Sequence, residues 1–338
     1  MPKPKVLVTT RLPGQMEKLF GDAFDVQVFD GDELPRQKLL EFCKDKDAIV
    51  SDLVNVINEE FFENCPRIKV VANVAVGYDN IDVKEASKRN ILACNTPGVL
   101  TETTADLAFS LLMAVARRLP ESERYLRSGQ WKSFSLDLLL GVDVHHKTLG
   151  IIGFGRIGQA VAARAAGFSM RILYTQNNRA DIELERKYNA TYVPLDELLK
   201  NSDFVSIHCP LNDKTRGLIG SKQFNSMKNS AFLINTARGA VVNENDLLEA
   251  LTSRKIAGAG LDVFSKEPNV PSKLLDMENV VLLPHIGSAS IETRSAMARM
   301  AVEAIVSSFK QEQPPNIINK ESWPAFLSKL KATANTSA

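Results

Sequence analysis

Short apolar runs alternate with longer amphipathic segments over roughly the first hundred residues of the chain. The apolar runs are rich in β-branched residues and predict strands, whereas the segments between them have the spacing of helices. Strands are predicted at residues 5–9, 25–29, 48–51, 69–72 and 91–94. This alternation is typical of an α/β domain.

The pattern then changes to one long apolar segment, residues 101–118, which predicts a helix that is apolar over most of its circumference. Such a helix must be covered on several sides, so we expect it to cross between domains or to lie in a subunit interface. From residue 148 the alternation restarts, and its strands are apolar on both faces, as in a parallel sheet covered by helices. They are predicted at 149–152, 171–175, 191–193, 204–209, 231–235, 258–263 and 280–283, followed by a last helix at 291–310.

The second alternation begins with a glycine motif, G-x-G-x-x-G, between the apolar run 149–152 and the alanine-rich segment 159–166. The first glycine allows a tight turn, the second lets the backbone approach a pyrophosphate, and the third lets the helix pack closely on the strand. The start of the following helix offers unpaired N–H groups and a positive dipole end to the phosphates. The predicted dinucleotide contacts in this motif are Gly153, Phe154, Gly155, Arg156, Ile157 and Gly158.

Length and charge narrow the possible partners. A chain of 338 residues predicts two domains, and its 41 Lys and Arg against 40 Asp and Glu, without a basic run among aromatics, disfavour nucleic-acid binding. The longest apolar run, 107–116, is shorter than the ~20 residues of a membrane span. No apolar signal segment follows the first residues, so we expect a cytoplasmic protein.

The cysteines are distant from one another in the sequence and form no C-x-x-C motif, which disfavours a zinc site and a disulfide framework. We therefore expect reduced thiols and no metal. The four are Cys43, Cys65, Cys94 and Cys209.

Three polar side chains follow different strands of the second sheet. Since ligands bind outside the carboxyl ends of parallel strands, Arg238, Glu267 and His285 are expected in the crevice that holds the dinucleotide. A carbonyl that accepts a hydride must also receive a proton, and His285 is the natural acid. Glu267 would hold the ring and favour its protonated form, and Arg238 offers a planar fork for a carboxylate. Together they indicate an α-keto acid substrate.

These motifs resemble those of the D-isomer-specific 2-hydroxyacid dehydrogenase family over nearly the whole chain, and most closely its glyoxylate/hydroxypyruvate reductases. The motifs that carry the resemblance are 76–82, 153–158, 235–239, 258–264 with 267–268, and 284–288. The resemblance implies two Rossmann-like α/β domains, with a doubly wound parallel-sheet dinucleotide-binding domain inserted in a flavodoxin-like substrate domain. It places the substrate domain at 1–98 and 291–338 and the dinucleotide domain at 99–290, and it implies a homodimer joined through the latter.

The resemblance also implies roles for individual residues. Arg238, Glu267 and His285 would be the catalytic set, and Asp262 would hold the nicotinamide carboxamide. His208 has no carboxylate or arginine beside it in the sequence, so we expect it in the adenine-side wall rather than in catalysis. The substrate would contact Leu53, Val76, Gly77, Arg238 and Ser288. Further cofactor contacts would be Thr104, His208, Cys209, Pro210, Thr215, Thr236, Ala237, Arg238, Asp262 and His285.

The end of the second strand of the dinucleotide domain departs from the NAD-preferring pattern, because it lacks the acidic residue that binds the ribose hydroxyls. Thr175, Gln176, Asn177 and Arg179 stand there instead and offer hydrogen-bond donors and one positive charge to a 2′-phosphate. The sequence therefore predicts NADPH in preference to NADH. A second departure lies at residues 131–134, where related reductases can place a pair of tryptophans from the neighbouring subunit near the substrate. Trp131 is the one tryptophan in this segment, which leaves the choice between glyoxylate and hydroxypyruvate open.

Two other functions remain possible at this point. A short NAD-dependent 3-phosphoglycerate dehydrogenase would carry the acidic residue that is absent here and, in most cases, a C-terminal regulatory domain. A dinucleotide-sensing co-repressor would bind the cofactor and a partner with little turnover. An NADPH-oxidation assay with glyoxylate separates both from the reductase.

Overall fold

The computed structural model describes residues 2–31 and 34–335. The chain forms two compact units, Met1–Leu100 with Ala289–Ala338, and Thr101–Ser288. These divisions, at 100/101 and 288/289, each lie two residues from the predicted boundaries at 98/99 and 290/291.

Strands and helices alternate in both units. The strands are β1 Lys5–Val8, β2 Asp25–Val28, β3 Ala48–Ser51, β4 Val70–Asn73, β5 Leu92–Cys94, β6 Thr148–Ile152, β7 Arg171–Thr175, β8 Ala190–Tyr192, β9 Phe204–Ile207, β10 Phe232–Asn235, β11 Gly258–Leu261 and β12 Val280–Leu282. The α-helices are α1 Arg36–Cys43, α2 Glu59–Asn64, α3 Val83–Lys88, α4 Thr101–Ala116, α5 Leu119–Arg127, α6 Arg156–Ala166, α7 Ile182–Tyr188, α8 Leu195–Asn201, α9 Ser221–Ser226, α10 Glu244–Thr252, α11 Ser272–Leu275, α12 Ile291–Phe309 and α13 Trp323–Asn335. Short 3₁₀ segments lie at Pro13–Ala23, Gly239–Val241 and Lys320–Ser322.

The unit that contains both chain ends is built on a parallel sheet with the order β2-β1-β3-β4-β5. Successive side chains of a strand point to opposite faces, so each central strand supplies both sides of the core. Val6 and Val8 belong to a buried cluster with Ile305 of α12, whereas Leu7 belongs to a second cluster with Phe61 of α2. The strand order is that of flavodoxin-like folds.

The second unit is built on a parallel sheet with the order β12-β11-β10-β9-β6-β7-β8. The order reverses between β6 and β9, and in doubly wound sheets the ligand crevice lies at this reversal. Two buried clusters, one on each face, cover the sheet. The two parallel sheets confirm the predicted fold class.

Helix α4 ends at Ala116, two residues before the predicted end, because Arg118 adopts a left-handed conformation with φ 52° and α5 begins after it. Within its own unit, α4 packs on α6 and on strands β10, β11 and β12. The expected crossing between domains or place in a subunit interface stays a prediction.

Two strands of the second sheet end two residues earlier than predicted. β9 ends at Ile207 and β11 ends at Leu261, whereas the apolar runs continue to Cys209 and Val263. The apolar residues beyond each strand line the start of a loop, so their hydrophobicity reports burial and not strand geometry. These loops carry candidate site residues.

All four cysteines are free thiols, and burial raises the pKa of Cys94 to about 12. Within residues 2–31 and 34–335, no group of three or more His, Cys, Asp or Glu side chains could hold a metal ion. In the same described ranges, no helix is both long and apolar enough to cross a membrane.

Candidate active site

The glycine turn joins β6 to α6, and its three glycines have different surroundings. Gly153 has φ 95°, and a Cβ there would lie 2.6 Å from the backbone nitrogen of Cys209. A Cβ on Gly158 would lie 2.2 Å from the carbonyl oxygen of Gly153, so this glycine lets the helix approach the turn. A Cβ on Gly155 would have no atom within 4 Å. The open space is therefore at the middle glycine, where the motif requires room for a pyrophosphate.

The start of α6 is suited to an anion. Gly155 is the N-cap and has no side chain to accept from the first turn, so the N–H groups of Arg156 and Ile157 receive no side-chain cap. Orphan N–H groups and the helix dipole together favour a phosphate at this position. The backbone N–H of Phe154 already has an acceptor within the protein, because it donates to Oε1 of Gln176 over 3.1 Å.

At the end of β7, the arginine that is predicted to face a 2′-phosphate already has a partner. Arg179 is already paired inside the protein: its Nε and Nη2 donate to the two carboxylate oxygens of Glu185 over 2.8 and 2.7 Å. Tyr174 donates to the same carboxylate over 2.6 Å. Hydrogen bonds from Arg179 and Tyr174 lower the pKa of Glu185 to about 2, so the buried carboxylate remains charged.

The amide of Gln176 also has a partner within the protein, because its Nε2 donates to the carbonyl oxygen of Asn178 over 2.7 Å. Of the four predicted donors, Thr175 is half-buried and Asn177 is exposed. The sequence did not indicate Glu185, since a glutamate in a helix ten residues beyond a strand is most often a surface charge.

His208 follows β9 and hydrogen-bonds through Nε2 to the Ser206 hydroxyl over 2.7 Å. Burial lowers the pKa of His208 to about 4, so the ring is neutral near neutral pH and unsuited to donate a proton. The next residues form a closed loop, in which the Thr215 hydroxyl donates to the carbonyl oxygen of Pro210 over 2.6 Å. The place of His208 and this loop in the adenine-side wall stays a prediction.

Arg238 follows β10 in a segment held by the buried side chain of Asn235. The Asn235 Oδ1 accepts the N–H of Ala237 and its Nδ2 donates to the carbonyl oxygen of Arg238, both over 3.0 Å. The Nη1 of Arg238 donates to the carbonyl oxygen of Ala237 over 2.8 Å. Thr236, which precedes them, is buried. No role was predicted for Asn235, and the structure shows that it fixes the backbone that carries the arginine.

His285 and Glu267 form a direct pair, with 2.6 Å between Nδ1 and Oε2. The other glutamate oxygen accepts the N–H of Phe264 over 2.9 Å. Burial acts to raise the pKa of Glu267, but the His285 ring, the Phe264 N–H and the charge of Arg238 outweigh it and hold the pKa below its ordinary value. Glu267 is therefore a carboxylate that holds the Nδ1 side of the His285 ring and orients it.

Asp262 holds the turn that carries His285. Its two fully buried carboxylate oxygens accept the N–H groups of Ile286 and Gly287, each over 2.7 Å, and its carbonyl oxygen accepts the N–H of His285 over 3.0 Å. Burial raises the pKa of Asp262, although the Ile286 N–H opposes this shift. Gly287 also brings the turn close to Thr104, since a Cβ there would lie 3.6 Å from the threonine methyl group. Contact with the nicotinamide carboxamide stays a prediction for Asp262.

The remaining substrate candidates lie in loops that follow strands of their own units. Leu53 follows β3, and Val76 and Gly77 follow β4 in the unit that contains both chain ends; all three are half-buried. There the Asn73 amide donates to the carbonyl oxygen of Gly77, and the Asn80 amide donates to that of Asp52, so the two loops are tied together. Ser288 lies at the end of the other unit, after the His285 turn.

An open glycine turn at a doubly wound sheet, with a paired histidine and glutamate and an arginine in the same unit, defines the class of an NAD(P)-dependent oxidoreductase. Residues 109–287 match the family described as D-isomer specific 2-hydroxyacid dehydrogenase, NAD binding domain. The chain belongs to this family, which confirms the resemblance seen in its motifs.

Two relatives and one solved structure place the chain within the family. A glyoxylate reductase of Korarchaeum cryptofilum is 51% identical over 322 residues, which are 94% of this chain and 97% of that protein. A glyoxylate reductase of Pyrococcus horikoshii is 49% identical over 324 residues, with the same shares of the two chains. The structure of an NADPH-dependent glyoxylate/hydroxypyruvate reductase from Sinorhizobium meliloti with NADP and malonate superimposes with a TM-score of 0.83 at 31% identity, covering 94% of this chain and 97% of that one.

Proposed function

We propose that this enzyme reduces a small 2-keto acid, glyoxylate or hydroxypyruvate, to the 2-hydroxy acid with NADPH. The observation that carries the proposal is the His285–Glu267 pair, with 2.6 Å between its atoms, near a basic Arg238 in the unit that holds the glycine turn. Relatives at about half identity that are named glyoxylate reductases support the choice of substrate.

Each residue of the catalytic set has a distinct task in this reaction. A bound nicotinamide dinucleotide supplies the hydride that the carbonyl carbon accepts. Arg238 binds the substrate carboxylate with its planar fork and polarises the adjacent carbonyl. His285 donates the proton from Nε2 to the carbonyl oxygen, and Glu267 stabilises the protonated ring until the transfer. Hydride and proton together convert the substrate carbonyl, an aldehyde in glyoxylate and a ketone in hydroxypyruvate, into the hydroxyl group of the product.

The cofactor fits the second unit at the glycine turn. The free volume around Gly155 and the uncapped start of α6 suit a pyrophosphate, and the edge formed by Thr175 and Asn177 suits the adenosine ribose. No acid directly follows β7, so nothing there would repel a 2′-phosphate. The NADPH-dependent reductase from Sinorhizobium meliloti supports the same preference. Arg179 contributes a positive charge to this proposed 2′-phosphate site, although its ion pair with Glu185 partly offsets that charge.

A substrate panel tests this function. Initial rates are measured for glyoxylate, hydroxypyruvate and 3-phosphohydroxypyruvate, each with NADPH and with NADH. We expect turnover of the first two and a higher kcat/KM with NADPH. Preference for the phosphorylated substrate with NADH would support the 3-phosphoglycerate dehydrogenase alternative, and cofactor binding without turnover would support a co-repressor.

We also propose that two copies of the chain associate through the segment from α5 to residue 142. None of the residues of α5 is buried, and apolar side chains on this segment are strongly exposed, with Phe134 at 80% and Leu136 at 85%. Large exposed apolar surface of this kind is typical of a protein interface. We further propose a cytoplasmic location and substrate contacts at Leu53, Val76, Gly77 and Ser288.

A further inference from the structure

The catalytic Glu267 lies on an exposed loop, and its position depends on the backbone that precedes it. Its Oε1 accepts the N–H of Phe264, three residues earlier, over 2.9 Å. The loop is closed by the N–H of Asn269, which donates to the carbonyl oxygen of Lys266 over 2.8 Å. Any displacement of residues 264 and 265 would therefore move the carboxylate relative to His285.

Glu244, the first residue of α10, accepts hydrogen bonds from Ser265 with both carboxylate oxygens. Its Oε2 accepts the hydroxyl of Ser265 over 2.7 Å, and its Oε1 accepts the N–H of the same residue over 3.2 Å. Since carboxylates are favoured in the first turn of a helix, the charge of Glu244 is compatible with its place. The half-buried side chain of Glu244 thus makes two hydrogen bonds to Ser265, which lies two residues before Glu267.

The same backbone touches the segment that carries Arg238. A Cβ on Gly239 would lie 1.9 Å from the carbonyl carbon of Phe264, so the two chains are in direct contact at this glycine. From Gly239 the chain runs through the 3₁₀ segment Gly239–Val241 to Glu244. The contact at Gly239 and the two hydrogen bonds that Glu244 accepts from Ser265 therefore connect the arginine segment to the glutamate loop at two points.

We propose that Glu244 is a positioning residue that sets the place of Glu267 relative to His285 and Arg238. It touches neither the ring nor the guanidinium, and acts through Ser265. Glu267 and Asp262 both interact electrostatically with the His285 ring, and Arg238 acts on Glu267. The carboxylate of Glu244 bonds to Ser265 instead. The proposal rests on the function proposed above.

The test compares Glu244→Ala with Asp246→Ala. Asp246 is the other acid in the first turn of α10, and it accepts the N–H of Ser221, away from the catalytic loop. Profiles of kcat/KM against pH are recorded with glyoxylate for both variants, for the parent, and for each change in a Glu267→Gln background. Ser265→Ala removes one of the two bonds and keeps the backbone N–H. Urea unfolding confirms that every variant is folded.

We expect Glu244→Ala to lower kcat about three- to tenfold, the range of a lost hydrogen bond, and to move the alkaline limb of the profile to lower pH. Ser265→Ala should have a smaller effect of the same sign, and Asp246→Ala should leave the limb in place. In the Glu267→Gln background Glu244→Ala should have no further effect, because it acts through that carboxylate. An equal effect in both backgrounds, or an unmoved limb in Glu244→Ala, would overturn the proposal.

A second measurement does not depend on turnover. The chemical shifts of the His285 ring nitrogens are followed by NMR during a pH titration, with His285→Ala used for assignment. If Glu244 positions Glu267, the ring of Glu244→Ala should lose its proton at lower pH than in the parent and in Asp246→Ala. Coincident titrations would reject the positioning role even if the substrate assignment holds. A parent without keto-acid turnover would instead reject the proposed function and leave this result intact.

Discussion

At the scale of single residues, Arg179 shows how a neighbouring carboxylate can offset the charge of an arginine. The arginine stands at the proposed 2′-phosphate site, but the carboxylate of Glu185 accepts two of its hydrogen bonds. The lowered pKa of Glu185, about 2, keeps this carboxylate charged at every pH of interest. The positive charge of Arg179 is therefore partly neutralised by the carboxylate of Glu185.

Glu185→Gln should raise the preference for NADPH, because it removes the opposing charge and keeps an acceptor for Arg179. We expect the ratio of kcat/KM for NADPH to that for NADH to rise about two- to fivefold, because solvent around the exposed Arg179 side chain screens its charge interactions. Steady-state rates with both cofactors measure it. Glu183→Gln is the matched control, as this exposed glutamate of the same helix pairs with Arg186. A ratio that stays constant would show that Glu185 does not affect cofactor choice.

Arg238 is expected to act on the substrate and not on the cofactor. Arg238→Lys keeps the charge but loses the planar fork, so KM for glyoxylate should rise and kcat should fall, whereas the affinity for NADPH should change little. Rates over a range of glyoxylate concentrations and a separate NADPH titration measure these effects. Lost NADPH binding with unchanged glyoxylate kinetics would contradict the role given to this residue.

At the scale of elements, the glycine turn separates stability from cofactor binding. Gly158 is in close contact with the backbone of Gly153, whereas Gly155 faces free space. Gly155 also has φ −75° and ψ −164°, which alanine adopts without strain. The same substitution at the two positions should therefore have different consequences.

Gly158→Ala should lower the free energy of unfolding by about 1–3 kcal/mol, the usual cost of overpacking. Gly155→Ala should leave the unfolding free energy nearly unchanged and weaken NADPH binding, because its methyl group would occupy the space meant for the pyrophosphate. Urea unfolding and calorimetric titration with NADPH measure the two effects. Intact NADPH affinity in a folded Gly155→Ala variant would place the pyrophosphate elsewhere.

The elements also show what the sequence could and could not predict. Buried strands such as β6 and β10 were readily predicted, because runs that are apolar on both faces have few other structures open to them. Strand ends were less certain, since the apolar residues after β9 and β11 continue into buried loops. Arg238, Glu267 and His285 could be placed together because each follows a strand of one parallel sheet. The partners Asn235, Glu185 and Glu244 could not, because their contacts depend on loop and helix orientations that periodicity does not encode.

At the scale of the whole molecule, the exposed apolar side chains between α5 and residue 142 should join two copies. Phe134→Asp combined with Leu136→Asp should yield a monomer, because a buried unpaired charge in an interface is costly. Light scattering coupled to size exclusion measures the mass, for which the chain has 37.3 kDa. Replacing the exposed Leu275 of α11 with Asp is the control. A parent that is monomeric, or a dimer that survives the double change, would exclude this segment as the interface.

The pairing of His285 with Glu267 is the central claim, and the pH dependence of one variant tests it most directly. In the proposed mechanism reduction needs the protonated ring, so the rate should fall as pH rises, and removal of the Glu267 carboxylate should bring this loss to lower pH. The lowered pKa of Glu267 means that the carboxylate remains charged throughout that range. In Glu267→Gln the ring loses this support, and each pH unit of change corresponds to about 1.4 kcal/mol.

The measurement is kcat/KM for glyoxylate reduction against pH, at saturating NADPH, for the parent and Glu267→Gln. His285→Ala serves as a reference, and it should lower kcat by roughly 10² to 10⁴ and abolish the alkaline limb. The account predicts that the alkaline limb of Glu267→Gln lies at lower pH than that of the parent. Coincident alkaline limbs would contradict it, because they would show that Glu267 does not support the protonated form of His285.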